Sequence, residues 1–144
     1  MTMPLITQVA EAVITDLNGA TFSQPFTAVR SYLPRSELAE LKTLKVTVVP
    51  SGLSVVTASR GQTQQDVAID IAVQQKLTGE NNADLDPLLA LAEEIAAHFR
   101  GQRLTSFPNA IWVKAEFKTI YAPDHIDQLR TFTSVVTLTF RVIE

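Results

Sequence analysis

The stretch Leu44–Gln75, LKVTVVPSGLSVVTASRGQTQQDVAIDIAVQQ, decides the fold. Leu44, Val46 and Val48 alternate with Lys45 and Thr47 and then meet Pro50-Ser51-Gly52, a sequence suited to a type I turn. Leu53–Ala58 reads as the return strand, Ser59–Gln65 as a polar loop, and Asp66–Gln75 as a third strand with Val67, Ile69, Ile71 and Val73 on one face. The spacing predicts an antiparallel meander with one apolar face, and such a face requires a cover.

Two helices supply that cover. Upstream, Leu5, Ile6, Val9, Ala10, Val13, Ile14 and Leu17 fall on one stripe at helical spacing, with Pro4 in the first turn and Gly19 at the end, so a helix is expected over about 4–18. Phe26–Leu33 then reads as a strand and Ser36–Lys42 as a short amphipathic helix capped by Ser36. Downstream, Leu77–Asp84 is a polar connection containing Gly79 and Asn81-Asn82. After it, Asp86 as cap, Pro87 in the first helical position, an apolar face of Leu88, Leu91, Ala92, Ile95, Ala96 and Phe99, and Gly101 beyond predict a helix over 87–100.

The chain closes with two strands. Ile111–Tyr121 places Ile111, Val113, Ala115 and Phe117 on one face against Lys114, Glu116 and Lys118 on a wet one. Pro123–Arg130 reads as two helical turns, and Phe132–Ile143 as a strand with Phe132, Val136, Leu138, Phe140 and Val142 on one side, pairing with the strand before it. The class is therefore α+β, a mostly antiparallel sheet covered on one face by two main helices, in a single domain spanning 1–144.

Bulk composition narrows the functional classes. The 144 residues are 46% hydrophobic and 19% charged, which suits one self-sufficient core rather than disorder. A net charge of −3 and scattered Lys and Arg offer no stripe to track a phosphate backbone, which disfavours nucleic acid as partner. Absence of cysteine removes disulfides and thiolate chemistry and fits a reducing cytoplasm. Met1–Leu17 carries Glu11 and Asp16 and no cationic leader, so neither a signal peptide nor a membrane span is expected.

No convergent chemistry emerges from the polar residues. His98 follows Glu94 by four positions on a helical polar face, a spacing that suits a solvated pair. In Asp124-His125-Ile126-Asp127 the two acids share a helical face while His125 is rotated by roughly 100° from Asp124, a poor metal site. Asp66 and Asp70 share a strand face but stand about 13 Å apart, beyond the reach of a carboxylate dyad. No nucleophile elbow, phosphate loop, dinucleotide fingerprint or zinc-protease motif occurs. The expectation is a protein without catalytic, cofactor or metal residues. Ser59-Arg60-Gly61 reads as a turn, and Trp112 either as a second-face core residue or as an exposed anchor on the same side as Ile120.

Several stretches carry a resemblance. Phe26–Pro34 (FTAVRSYLP), Leu41–Pro50 (LKTLKVTVVP), Thr57–Gly61 (TASRG), Ile111–Lys114 (IWVK), Ile120–Pro123 (IYAP) and Phe132–Phe140 (FTSVVTLTF) look like a group of bacteriophage and prophage proteins. The element order is similar to that of phage tail terminator and head–tail completion proteins. That resemblance implies a structural virion protein of the neck, assembled in the host cytoplasm, that forms a hexameric ring, caps the tail tube and joins the tail to the head connector. Its implied partners are further copies of itself, the tail tube protein and the head–tail connector or adaptor, with no cofactor, membrane or specific nucleic acid. A head-completion adaptor below the portal, a tail assembly chaperone and an uncharacterised enzyme are the alternatives.

A ring subunit needs two different contact surfaces, because heterologous contacts close by rotation. The candidate subunit-interface residues are Arg60, Gln62 and Gln64 in the Ser59–Gln65 loop, Asn81 and Asn82 in the Gly79–Asp84 connection, and Trp112 and Ile120 on a sheet face.

Overall fold

The computed structural model describes residues 3–32, 44–77, 79, 81–124, 126 and 131–144. The elements are α1 (Leu5–Gly19), β1 (Ala28–Arg30), β2 (Lys45–Ser59), β3 (Gln62–Lys76), α2 (Asn82–Phe99), β4 (Arg103–Leu104), β5 (Phe107–Thr119) and β6 (Thr131–Ile143). The strands form one six-stranded sheet in the order β1-β2-β3-β6-β5-β4. Among the described strands only β1 and β2 run parallel, and the other pairings are antiparallel. Both helices pack on one face of this mixed sheet, as the two apolar stripes require.

The core follows from strand alternation. Val67, Ile69, Ile71 and Val73 of β3 and Phe132, Val136, Leu138, Phe140 and Val142 of β6 are all buried. They meet across the ladder as Val67↔Phe140, Ile69↔Leu138 and Ile71↔Val136. Above them lie Val9, Val13 and Leu17 of α1 and Leu88, Leu91, Ile95 and Phe99 of α2. Phe99 and Phe140 meet edge to face with ring centroids 6.1 Å apart, tying α2 to the sheet centre. Among the described residues no helix is long and apolar enough to cross a membrane.

The expected turn at Pro50-Ser51-Gly52 does not form. β2 runs straight through it, with Pro50↔Ile69 and Gly52↔Ala68 in register and Ser51 bulged out between them. Strand pairing on both sides of the tripeptide overrides its local turn preference: Val48↔Ile71 and Leu53↔Val67 belong to one continuous ladder. Ser51 Oγ donates to Ala68 O at 3.1 Å and to Asp70 Oδ1 at 3.2 Å, so the bulged residue is held. The three-strand meander is therefore a two-strand hairpin, and its reversal is at Arg60-Gly61.

Gly61 has φ +83°, a conformation that side chains resist. Gly61→Val is expected to lose about 1–2 kcal/mol in urea denaturation, and Gly61→Asn distinctly less. Equal stability of the valine variant and the parent would contradict this turn geometry.

Other boundaries shift for identifiable reasons. α2 begins at Asn82 rather than at 87, because the side chain of Asn81, not Asp86, accepts from Asp84 N at 3.1 Å as the cap. Pro87 is tolerated inside α2 because the carbonyl it leaves free, four residues back, lies in the exposed first turn at Ala83. β1 is confined to Ala28–Arg30, preceded by a loop in which Phe22 stacks on Phe26 at 5.3 Å. β5 starts earlier than expected, at Phe107, and is met by the unforeseen two-residue β4. The predicted helix Ser36–Lys42 lies outside the described residues, as do position 125 and positions 127–130 of the segment Pro123–Arg130; Pro123, Asp124 and Ile126 are helical.

Candidate functional site

The predicted interface residues do not gather into one site. Arg60 is exposed at the hairpin turn, and Gln62 and Gln64 belong to β3 rather than to a loop. Ser59 Oγ donates to Gln62 Oε1 at 3.0 Å across the turn. Gln64 lies on the face away from the helices, where its amide oxygen, oriented to satisfy both groups, accepts from Arg141 Nε at 3.2 Å. Asn81 is consumed as the cap of α2, and Asn82 is exposed in the first turn, far along the chain from the hairpin.

Trp112 lies within β5, whereas Ile120 stands beyond its end. Trp112 pairs with Phe140, whereas Lys114 pairs with Thr139, so a bulge at Val113 reverses the parity of β5. Trp112 therefore packs at the rim of the core, on the helix side of the sheet. Its Nε1 is buried and finds no acceptor among the described residues. The predicted row Ile111, Val113, Ala115 and Phe117 is broken by the same bulge: Ile111 pairs with Arg141 and is exposed, while Phe117 pairs with Val136 and packs on the core. A second register shift falls between Phe117 and Thr119, and exposed Ile120 stands beyond the end of the strand.

The face away from the helices carries the sheet's ion pairs. Arg141 donates to Asp66 through Nε at 2.9 Å and through a second nitrogen at 3.2 Å. The hydrogen bond to Asp66 raises the Arg141 guanidinium above its ordinary value. Asp70 accepts from Thr137 Oγ1 at 2.6 Å and from Lys118 Nζ at 3.4 Å. Each carboxylate thus has its own partners, and the two share none of these contacts. Among the described residues no three His, Cys, Asp or Glu side chains cluster as metal ligands would.

Glu94 is not paired with His98. It accepts from the backbone N of Ser23 at 3.1 Å and from Ser23 Oγ, while His98 sits edge-on to Phe22 and Phe99 at 5.4 and 5.1 Å. Both residues therefore fasten the loop after α1 onto α2. His125 and Asp127 lie outside the described residues.

What the fold does assemble is an apolar tip. The outer half of the β2–β3 hairpin extends past the helical layer, and Leu53, Val55 and Val56 are 49%, 54% and 51% exposed. Leu53 pairs with Val67, which puts it and Val55 on the helix side of the sheet, whereas Val56 points to the other side. On that other side Val56 joins exposed Ile143 through the row Val56–Gln64–Ile143, with exposed Ile111 beside Arg141. Ile111, Ile143, Arg103 and Arg141 line a shallow concavity of about 470 Å³. Both sides of the tip therefore present aliphatic side chains to solvent. None of these aliphatic residues was singled out from the sequence as an interface residue. The signal was present, however, in the run Ser51–Ser59, which holds Leu53, Val55 and Val56 and no charged side chain.

No protein family model matches this chain, and no curated protein matches it either.

Proposed function

We propose that this chain is a structural subunit of a phage neck, a tail-terminator-like protein that forms a ring on the tail tube and joins it to the head connector. In this reading its work is assembly and contact rather than turnover. The observation that supports it best is the hairpin tip, where Leu53, Val55 and Val56 are about half exposed within a neutral run. Exposed contiguous apolar surface of this kind is the mark of a surface meant to be covered. A ring covers it by repeating one heterologous contact until the rotation closes. The resemblance of Phe26–Pro34, Leu41–Pro50 and Phe132–Phe140 to phage proteins points to the neck as the place where such a ring works.

Light scattering coupled to size-exclusion chromatography, with negative-stain imaging of the same fractions, tests this reading. The expected result is hexameric rings that decorate the ends of purified tail tubes. A strict monomer that ignores tail tubes would overturn it.

A further inference from the structure

Among the described residues the sheet leaves two edges open at its opposite ends. β1 covers β2 only at Val46–Val48, extended by the bond from Ser31 N to Val48 O at 3.0 Å. Beyond that point, over Pro50–Ser59, no described strand pairs with the outer side of β2, and Ser51 and Leu53–Ser59 are exposed. At the other end β4 meets β5 only through Arg103↔Ile111 and Leu104↔Phe107, with Gln102 O accepting from Trp112 N at 3.1 Å. Over Val113–Thr119 the outer side of β5 has no described strand either. An extended strand with unpaired backbone groups is a template for another strand.

We infer that a second copy of the chain fills the free edge of β2 with the free edge of its own β5, antiparallel, so that one sheet continues from subunit to subunit. This rests on the ring reading above and adds the groups that would make its contact. Strand direction supports the pairing. β2–β3, β3–β6 and β6–β5 are each antiparallel, so β2 and β5 run in opposite directions. A neighbour brought on by rotation about an axis from which the strands are tilted then sets β5 antiparallel to β2, keeps the alternation unbroken and leaves every helical layer on the same side. Proline placement agrees: Pro50 lies in β2 and Pro108 in β5, while β3 and β6, the strands between them, have none.

Charge and register add two further constraints. β5 carries Lys114, Glu116 and Lys118, the kind of guard that discourages indiscriminate pairing, and Ser51–Ser59 of β2 opposes them with no charge. Pairing of two β2 edges would also be neutral, but it would leave both β5 edges open and stop at two copies. The ladder places Glu116, the middle of the free β5 stretch, level with Thr137, Asp70 and Val49. The middle of the free β2 stretch, near Ser54, is level with Asp66, four rungs higher because bulged Ser51 adds none, so adjacent subunits must be staggered by roughly 14 Å. Closing a sheet into a cylinder demands tilt and stagger of this kind.

The absence of native cysteine makes the test direct. The double variant Ser54→Cys/Glu116→Cys, both at exposed positions on the face away from the helices, is treated with a short bis-maleimide after ring assembly. The expected product on a denaturing gel is a ladder reaching the closed ring, with 54–116 links identified by mass spectrometry. Each single variant, with an unchanged Tm as the check on folding, should give almost no cross-linked dimer. Intact rings without 54–116 links would overturn the strand pairing while the ring reading stands. Abundant dimer from Ser54→Cys alone would overturn it in favour of β2–β2 pairing. A wild-type chain that never leaves the monomer would overturn both.

Discussion

Phe140→Ala is expected to lose about 3–5 kcal/mol of folding free energy, the range for deleting a buried aromatic side chain. Phe140 is fully buried in β6, one of the two central strands of the sheet, opposite Val67 on β3 and Trp112 on β5. Its ring also receives Phe99 from α2 edge to face, a contact worth about 0.5–1.5 kcal/mol beyond the area it buries. One truncation therefore opens a cavity where three strands and a helix converge, and a rigid sheet cannot collapse to refill it. For a chain of this size the loss corresponds to a fall in Tm of roughly 10–20 °C. Thermal denaturation followed by circular dichroism measures it. A fall of less than about 3 °C would mean that α2 does not close on the sheet at this point.

The elements around Phe140 are the ones that sequence reading recovers best. The inward set of β6 is buried as the period-two alternation requires, and Leu88, Leu91, Ile95 and Phe99 of α2 are buried as the helical period requires. Periodicity reports burial, so it is legible wherever one face is dry. It fails where a single inserted residue changes the parity. The bulge at Val113 has no local signature, yet it turns Trp112 onto the helix side and Ile111 away from it. Pro50-Ser51-Gly52 fails in the opposite sense, since its turn signature is strong and local while the ladder that overrides it is built with β3 across the hairpin. The α2 start was missed because Asp86-Pro87 is itself a valid helix opening, while the cap that the structure uses, Asn81, lies five residues upstream in a polar stretch.

The candidate site was legible only in part, for a related reason. The reversal at Arg60-Gly61 was legible because polar residues and glycine mark a turn. Leu53, Val55 and Val56 were read as ordinary strand residues, because aliphatic side chains in a strand normally signal burial. Only the pairing pattern shows that this part of β2 runs beyond the helical layer and has no described neighbour on its outer side. Exposure of that kind is a property of sheet order, which sequence alternation does not encode.

The converse of the Phe140 variant is a chain shortened at the hairpin, with residues 56–64 excised and Val55 joined to Gln65 through Asn-Gly. This variant is expected to fold and to lose ring assembly completely. Excision removes none of the core, whose nearest members on the two strands are Val48 and Val67. What it removes from the fold is the outer ladder and the backbone pair between Thr63 and Glu144, with bonds of 2.7 and 3.0 Å. Each of the two bonds to the retained Glu144 contributes about 0.5–1.5 kcal/mol net, while the bonds of the excised ladder go together with the ordering entropy of the residues that made them, so the expected loss of stability is about 3 kcal/mol. Asn-Gly suits a two-residue hairpin and offsets part of it. Phe140→Ala and the shortened chain should therefore separate stability from assembly, which calorimetry and light scattering on the two variants would measure side by side. Rings formed by the shortened chain would exclude Val56 and the outer ladder from the subunit contact. Failure of the shortened chain to fold would show that the hairpin tip belongs to the folding core, and the division between a core that holds the subunit and an edge that joins it to the next would fall.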